Sequence, residues 1–105
     1  MIKKEKKFKW LEEGSKGENV ILLHGLMGGV ENFGDMVNYI SKECKVYGLD
    51  LRLFEGIKLN VSVKKLSDYL YSFMNHLNIK QAVLIGNSMG GHIGLIFAKE
   101  HPEMV

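Results

Sequence analysis

Two segments of this 105-residue chain follow one plan: an apolar run ends abruptly in glycines, and apolar residues then recur at helical spacing. Val20-Ile21-Leu22-Leu23 runs into His24-Gly25-Leu26-Met27-Gly28-Gly29, after which Val30, Phe33, Met36, Val37 and Ile40 return three or four residues apart. Val83-Leu84-Ile85 runs into Gly86-Asn87-Ser88-Met89-Gly90-Gly91, and a second helical pattern leads out. Continuous apolar runs of this length suit strands buried on both faces. Strand, loop and helix in alternation imply a parallel sheet with right-handed crossovers. The predicted order is a strand near residues 6–12, then strands near 20–23, 45–49 and 81–85 alternating with helices near 31–42, 62–77 and 89–100. The middle helix is the clearest, with Val63, Leu66, Leu70, Phe73 and Leu77 as an apolar stripe and Ser62 as its N-cap. That stripe is core.

The second glycine loop has the form G-x-S-x-G between a strand and a helix, which is the context of a nucleophile elbow. A serine hydroxyl is a weak nucleophile and needs a base, an open line of attack and donors for the oxyanion it creates. A tight turn at the carboxyl end of a strand exposes the Ser88 hydroxyl. It also brings the backbone so close that side chains two residues either side would collide, which explains Gly86 and Gly90. The amide of Met89 then falls at a helix N-terminus, where the dipole favours negative charge. An ordinary structural loop accounts for less: glycines at 90, 91 and 94 each cost about 1 kcal/mol against alanine inside a helix, with close packing on the sheet as the one compensation.

Taken together, HGLMGG, the strand Val46-Tyr47-Gly48-Leu49-Asp50 and GNSMGG resemble the α/β-hydrolase superfamily, from about Lys7 to Val105. The resemblance implies an α/β three-layer sandwich with a mostly parallel sheet, with residues 1–105 as the amino-terminal part of a single α/β-hydrolase domain and the fold incomplete. It implies a serine hydrolase acting on an ester, thioester or related acyl substrate through an acyl-enzyme. Ser88 is then the nucleophile, the backbone N–H groups of Met89 and Leu26 form the oxyanion hole, and His24, Gly25, Gly86 and Gly90 support the loops. Met27 and Met89 are candidates to line the substrate pocket. Where the family continues the Asp50 strand with a proline-glycine loop, this chain has Arg52-Leu53-Phe54-Glu55-Gly56, so a reshaped loop is expected there. The alternative function is a non-catalytic fragment or pseudoenzyme that keeps the fold for binding or assembly.

The remaining triad members are expected after Val105, since the fold orders them serine, acid, histidine. Glu100, Glu103, His92 and His101 are the only acids and imidazoles after Ser88. A helix over 89–100 rises about 1.5 Å per residue, which puts Glu100 and His101 about 18 to 20 Å from the serine. His92 lies four residues on, along a helix from which the serine hydroxyl should point away. His24 is expected to brace its loop by hydrogen bonds and Asp50 to make a loop hydrogen bond, while Asp35, Asp68 and His76 read as surface groups. If later parallel strands follow, the strand ending at Asn87 has an apolar edge to pair, either with the missing carboxyl-terminal half or with a second copy.

Other chemistries fit poorly. Neither glycine cluster is followed by the lysine of a P-loop or has dinucleotide spacing, and no His/Cys cluster has metal-ligand spacing. No cofactor and no metal are implied. A formal charge of +2 is too small to imply a nucleic acid, although Lys3, Lys4, Lys6, Lys7 and Lys9 make a basic run expected to be a solvated tail or edge strand. No apolar stretch approaches 18 residues, so no membrane partner is expected. The single Cys44 has no internal partner and the first ten residues lack an apolar h-region, which points to a cytoplasmic protein.

Overall fold

A computed structural model of the chain describes residues 1–25, 28–51 and 62–105. The expected loop at Arg52–Gly56 therefore lies outside the described residues, as do Leu26 and Met27. The strands are β1 (Ile2–Glu5), β2 (Phe8–Glu13), β3 (Asn19–Leu23), β4 (Lys45–Leu49) and β5 (Val83–Gly86), and the helices are α1 (Asp35–Ile40), α2 (Val63–His76) and α3 (Met89–Glu100). The strands form one open sheet in the order β1-β2-β4-β3-β5. Strands β4, β3 and β5 run parallel, while β1 and β2 join antiparallel. The sheet is mixed because the amino-terminal lysine run forms a hairpin. Lys6, at φ 55°, turns the chain between Glu5 and Phe8, and β1 becomes the edge strand.

Alternation along β3 divides the interior in two. Ile21 and Leu23 face α2 and α3, where Leu66, Leu70, Phe73, Ile93 and Phe97 meet Phe8 and Trp10. Val20 and Leu22 face the other way, onto Phe33, Val37 and Val46. Successive side chains of a strand point to opposite faces, so a sheet with helices on both sides requires an apolar residue at every position. Fully burying each such side chain contributes about 1.5 to 3 kcal/mol. This layering, helices on both faces of a sheet whose inner strands are parallel, is the three-layer α/β arrangement expected from the sequence.

Two boundaries differ from the predicted ones, each for a local reason. The first predicted helix is split into a 3-10 turn, Val30–Phe33, and the short α1, because Gly34 adopts φ 48° between them. Val30, Phe33 and Val37 are buried as the pattern requires, while Met36 is 41% exposed. Strand β5 begins at Val83 rather than near 81, because the amide of Ala82 donates to the carbonyl of Met104 at 2.9 Å instead of joining the ladder. At α2 the cap is as read: the Ser62 hydroxyl accepts from the Lys65 amide at 3.1 Å.

Candidate active site

Pairing fixes where the two glycine loops meet. Leu23, the last residue of β3, pairs with Leu49 of β4 and Gly86 of β5, so the His24 and Asn87 segments leave the sheet side by side at its carboxyl end. The Asn87 amide donates to the Leu23 carbonyl at 3.0 Å and ties one loop to the other. A Cβ placed on Gly25 would stand 3.4 Å from the Asn87 oxygen and 3.5 Å from the Ser88 Cβ, which is ordinary contact. In open α/β sheets, this end of the strands is where ligands bind.

Ser88 is exposed and takes φ 57°, ψ −117°, between β5 and α3. A side chain seldom adopts this conformation, which costs on the order of 1 to 3 kcal/mol. Its neighbours explain how the turn is tolerated. A Cβ on Gly86 would lie 2.4 Å from the Gly90 carbonyl carbon and the Gly91 nitrogen, and one on Gly90 only 1.9 Å from the Leu23 oxygen. The close packing inferred for the helix glycines holds at Gly90 and not further along, since a Cβ at Gly91 or Gly94 would make contacts of 3.6 Å or more. The Gly90 amide donates to Asn87 O, and the Gly91 and His92 amides to Ser88 O. The Met89 amide opens α3 and finds no acceptor among the described residues, as the first N–H groups of a helix do.

His24 is 1% exposed and is fixed at both ring nitrogens. The Leu51 amide donates to Nε2 at 2.7 Å, so Nε2 is the acceptor and Nδ1 carries the proton, which it donates to the Gly25 carbonyl at 2.8 Å. His24 thus clamps the end of β3 to the end of β4. The same Gly25 carbonyl accepts the Gly28 amide at 3.2 Å, closing the loop on itself. The buried Asp50 donates its own amide to Lys9 O at 2.9 Å and holds its carboxylate oxygen 3.7 Å from His24 Nε2. Nearby, burial and then the Asp50 charge push the Tyr69 phenol upward, and its hydroxyl donates to Lys7 O at 2.9 Å.

No hydrogen bond joins the Ser88 hydroxyl to an imidazole or carboxylate among the described residues. His92 is exposed, His101 stacks on Tyr71 at 4.2 Å, and His76 meets Glu5 at 2.8 Å. Glu100 and Asp68 are both held by Lys64. Met89 is half-buried and packs on the main core. One residue was not singled out from the sequence. Asn32 accepts the Gly29 amide through Oδ1 at 2.6 Å while its own amide donates to Gly29 O at 3.0 Å. Its signal is a carboxamide three residues after a glycine at a helical start, the spacing of reciprocal capping.

Comparison with known proteins agrees with this architecture. The family model described as alpha/beta hydrolase fold matches residues 18–105. A Haemophilus influenzae protein provisionally named an esterase/lipase is 30% identical over 90 residues, covering 82% of this chain and 31% of that protein. A 2-hydroxy-6-oxo-6-(2'-aminophenyl)hexa-2,4-dienoic acid hydrolase of Metapseudomonas resinovorans is 33% identical over 105 residues, covering 92% of this chain and 36% of the hydrolase. The crystal structure of MGS-MChE2, an alpha/beta hydrolase enzyme from the metagenome of lagoon sediments at Mar Chica, Morocco, matches with a TM-score of 0.90 and 40% identity, covering 100% of this chain and 48% of that one. The chain spans about a third of the curated relatives' length and about half of that structure.

Proposed function

The chain belongs to the α/β-hydrolase family, and from that premise we propose that it carries the nucleophile of a serine hydrolase acting on an ester, thioester or related acyl substrate. The observation that carries the reading is the exposed Ser88 at φ 57° on a glycine-flanked turn that packs against Gly25. Ser88 Oγ attacks the acyl carbonyl and gives up its proton to a base. The carbonyl oxygen takes the charge, and the amides of Met89 and Leu26 donate to it. Collapse of the tetrahedral intermediate expels the protonated alcohol or thiol and leaves an acyl-enzyme, which water hydrolyses.

The base and acid belong, in this reading, to residues beyond Val105. Strand β5 is where those residues dock: it has one neighbour among the described strands, and Val83 is 44% exposed. An unpaired strand edge carries free backbone donors and acceptors that a further parallel strand satisfies. We place the enzyme in the cytoplasm, on the ground that one cysteine asks for no oxidising compartment. Among the described residues no helix is long and apolar enough to cross a membrane.

The second reading, a non-catalytic piece kept for binding or assembly, is favoured by the lack of a described base on Ser88. Turnover of p-nitrophenyl acetate by the full-length chain separates the two. The hydrolase reading expects a stoichiometric burst of p-nitrophenol that Ser88→Ala abolishes. A full-length chain with no burst supports the second reading, and a burst that survives the substitution removes Ser88 as nucleophile.

A further inference from the structure

We propose that Asn32 is a positioning residue for the oxyanion loop, holding the Gly28-Gly29 end of that loop as His24 holds its Gly25 end. The inference rests on the hydrolase reading, in which the 24–29 loop supplies one of the two oxyanion donors. The chain leaves β3 at His24 and enters the 3-10 turn at Val30, and both described ends of the stretch between are held by side chains. At the first end, His24 is pinned between Leu51 and Gly25. At the second, the carboxamide of Asn32 reaches back from the 3-10 turn.

Three observations assign that role to the Asn32 side chain rather than to the turn backbone. Its Oδ1 accepts the Gly29 amide at 2.6 Å, and an amide N–H can only donate, so the carboxamide orientation is determined. Gly29 is buried, and its amide would otherwise stand without an acceptor where water reaches poorly. Finally, the carboxamide occupies the space beside Gly28: a Cβ built there would fall 1.9 Å from Asn32 Oδ1 and 3.0 Å from Cγ. A side chain at Gly28 would therefore have to displace the Asn32 carboxamide from the Gly29 amide. The reciprocal pair closes with the Asn32 amide on Gly29 O at 3.0 Å, and Phe33, buried in the second core, anchors the turn that carries it.

An oxyanion donor works only if it stands ready where charge develops, and removing one outright costs a factor of about 100 to 1000 in kcat. Releasing one end of its loop misplaces the donor without deleting it. Asn32→Ala in the full-length chain should therefore lower kcat for p-nitrophenyl acetate about tenfold while KM stays within twofold. Asn32→Asp keeps an oxygen acceptor for Gly29 and should recover kcat to within about threefold of wild type. Gly28→Ala should be costly with Asn32 in place and add less than about a twofold loss on Asn32→Ala, because the colliding atom is gone. Hydrogen exchange gives a readout independent of turnover: the Gly29 amide should exchange at least about tenfold faster in Asn32→Ala, relative to Leu22 in the same variant. Wild-type kcat in Asn32→Ala, unchanged Gly29 exchange, or an equal cost of Gly28→Ala in both backgrounds would overturn the proposal. A Ser88→Ala variant that still turned over would overturn the hydrolase reading and this inference with it. A dead Ser88→Ala beside a fully active Asn32→Ala overturns the inference alone.

Discussion

Gly90→Ala tests the contact on which the turn depends. A Cβ there would lie 1.9 Å from the Leu23 oxygen, 2.5 Å from its carbonyl carbon and 3.0 Å from the His24 oxygen. Carbon and oxygen touch comfortably at about 3.3 Å, so the first turn of α3 must retreat from β3 by more than about 1 Å. The Leu23 carbonyl also accepts the Asn87 amide at 3.0 Å, and such a shift stretches that bond beyond useful length. Overpacking costs about 1 to 3 kcal/mol and the lost hydrogen bond about 1 kcal/mol, against a gain of about 1 kcal/mol from replacing a helical glycine. The net expectation is a loss of about 1 to 3 kcal/mol. Gly94→Ala is the internal control, since its Cβ would meet only methyl and methylene groups at 3.8 Å or more. It should be neutral or stabilise by up to about 1 kcal/mol. Urea unfolding of both variants of the full-length chain, followed by circular dichroism, measures the contrast. Equal stabilities for the two variants would refute the close-approach argument, whatever their absolute values.

Acid sensitivity, the His24 clamp and the β5 edge give further expectations. Burial alone would raise the Glu12 carboxyl, but hydrogen bonds from Lys45, Trp10 and Lys3 outweigh it and hold it at about 2. A depressed carboxyl stabilises the fold above its unfolded value of about 4.5 and loses that contribution as pH falls toward 2. Glu12→Gln should therefore flatten the stability profile in that window by about 1 to 2 kcal/mol, the range allowing for solvent screening; an unchanged acid limb would count against the cluster. His24→Ala leaves the Leu51 amide without its acceptor in a buried place and should cost about 2 to 4 kcal/mol by urea unfolding, whereas a cost below about 0.5 kcal/mol would show that the clamp is dispensable. If β5 is a docking edge, its alternate amides exchange fast in residues 1–105 alone and slowly in the full-length chain. Fast exchange in both would remove that role.

The sequence made legible those elements whose pattern is imposed by the core. The α2 stripe and its Ser62 cap, the doubly buried β3 and the strand-turn-helix at Ser88 all follow from local periodicity, and local periodicity is what a single sequence displays. The hairpin of β1 and β2 does not show in the sequence as two strands, because lysines at exposed positions carry no alternation and its turn is made by Lys6 rather than by a glycine. Gly34 lies within an otherwise helical spacing that hides its positive φ, which ends the 3-10 turn. Asn32 is illegible for a different reason: its role lies in a carboxamide meeting a backbone amide and filling the space beside a glycine. Spacing alone does not reveal what a side chain fills.

The central claim is that Ser88 is the nucleophile, and covalent trapping tests it most directly. The full-length chain, treated with a fluorophosphonate and analysed by intact mass and peptide mapping, should carry one adduct. The account predicts that adduct on Ser88, in the stretch between Lys80 and Lys99, and its complete loss in Ser88→Ala. Stoichiometric labelling at another residue, or labelling that persists after the substitution, would contradict it.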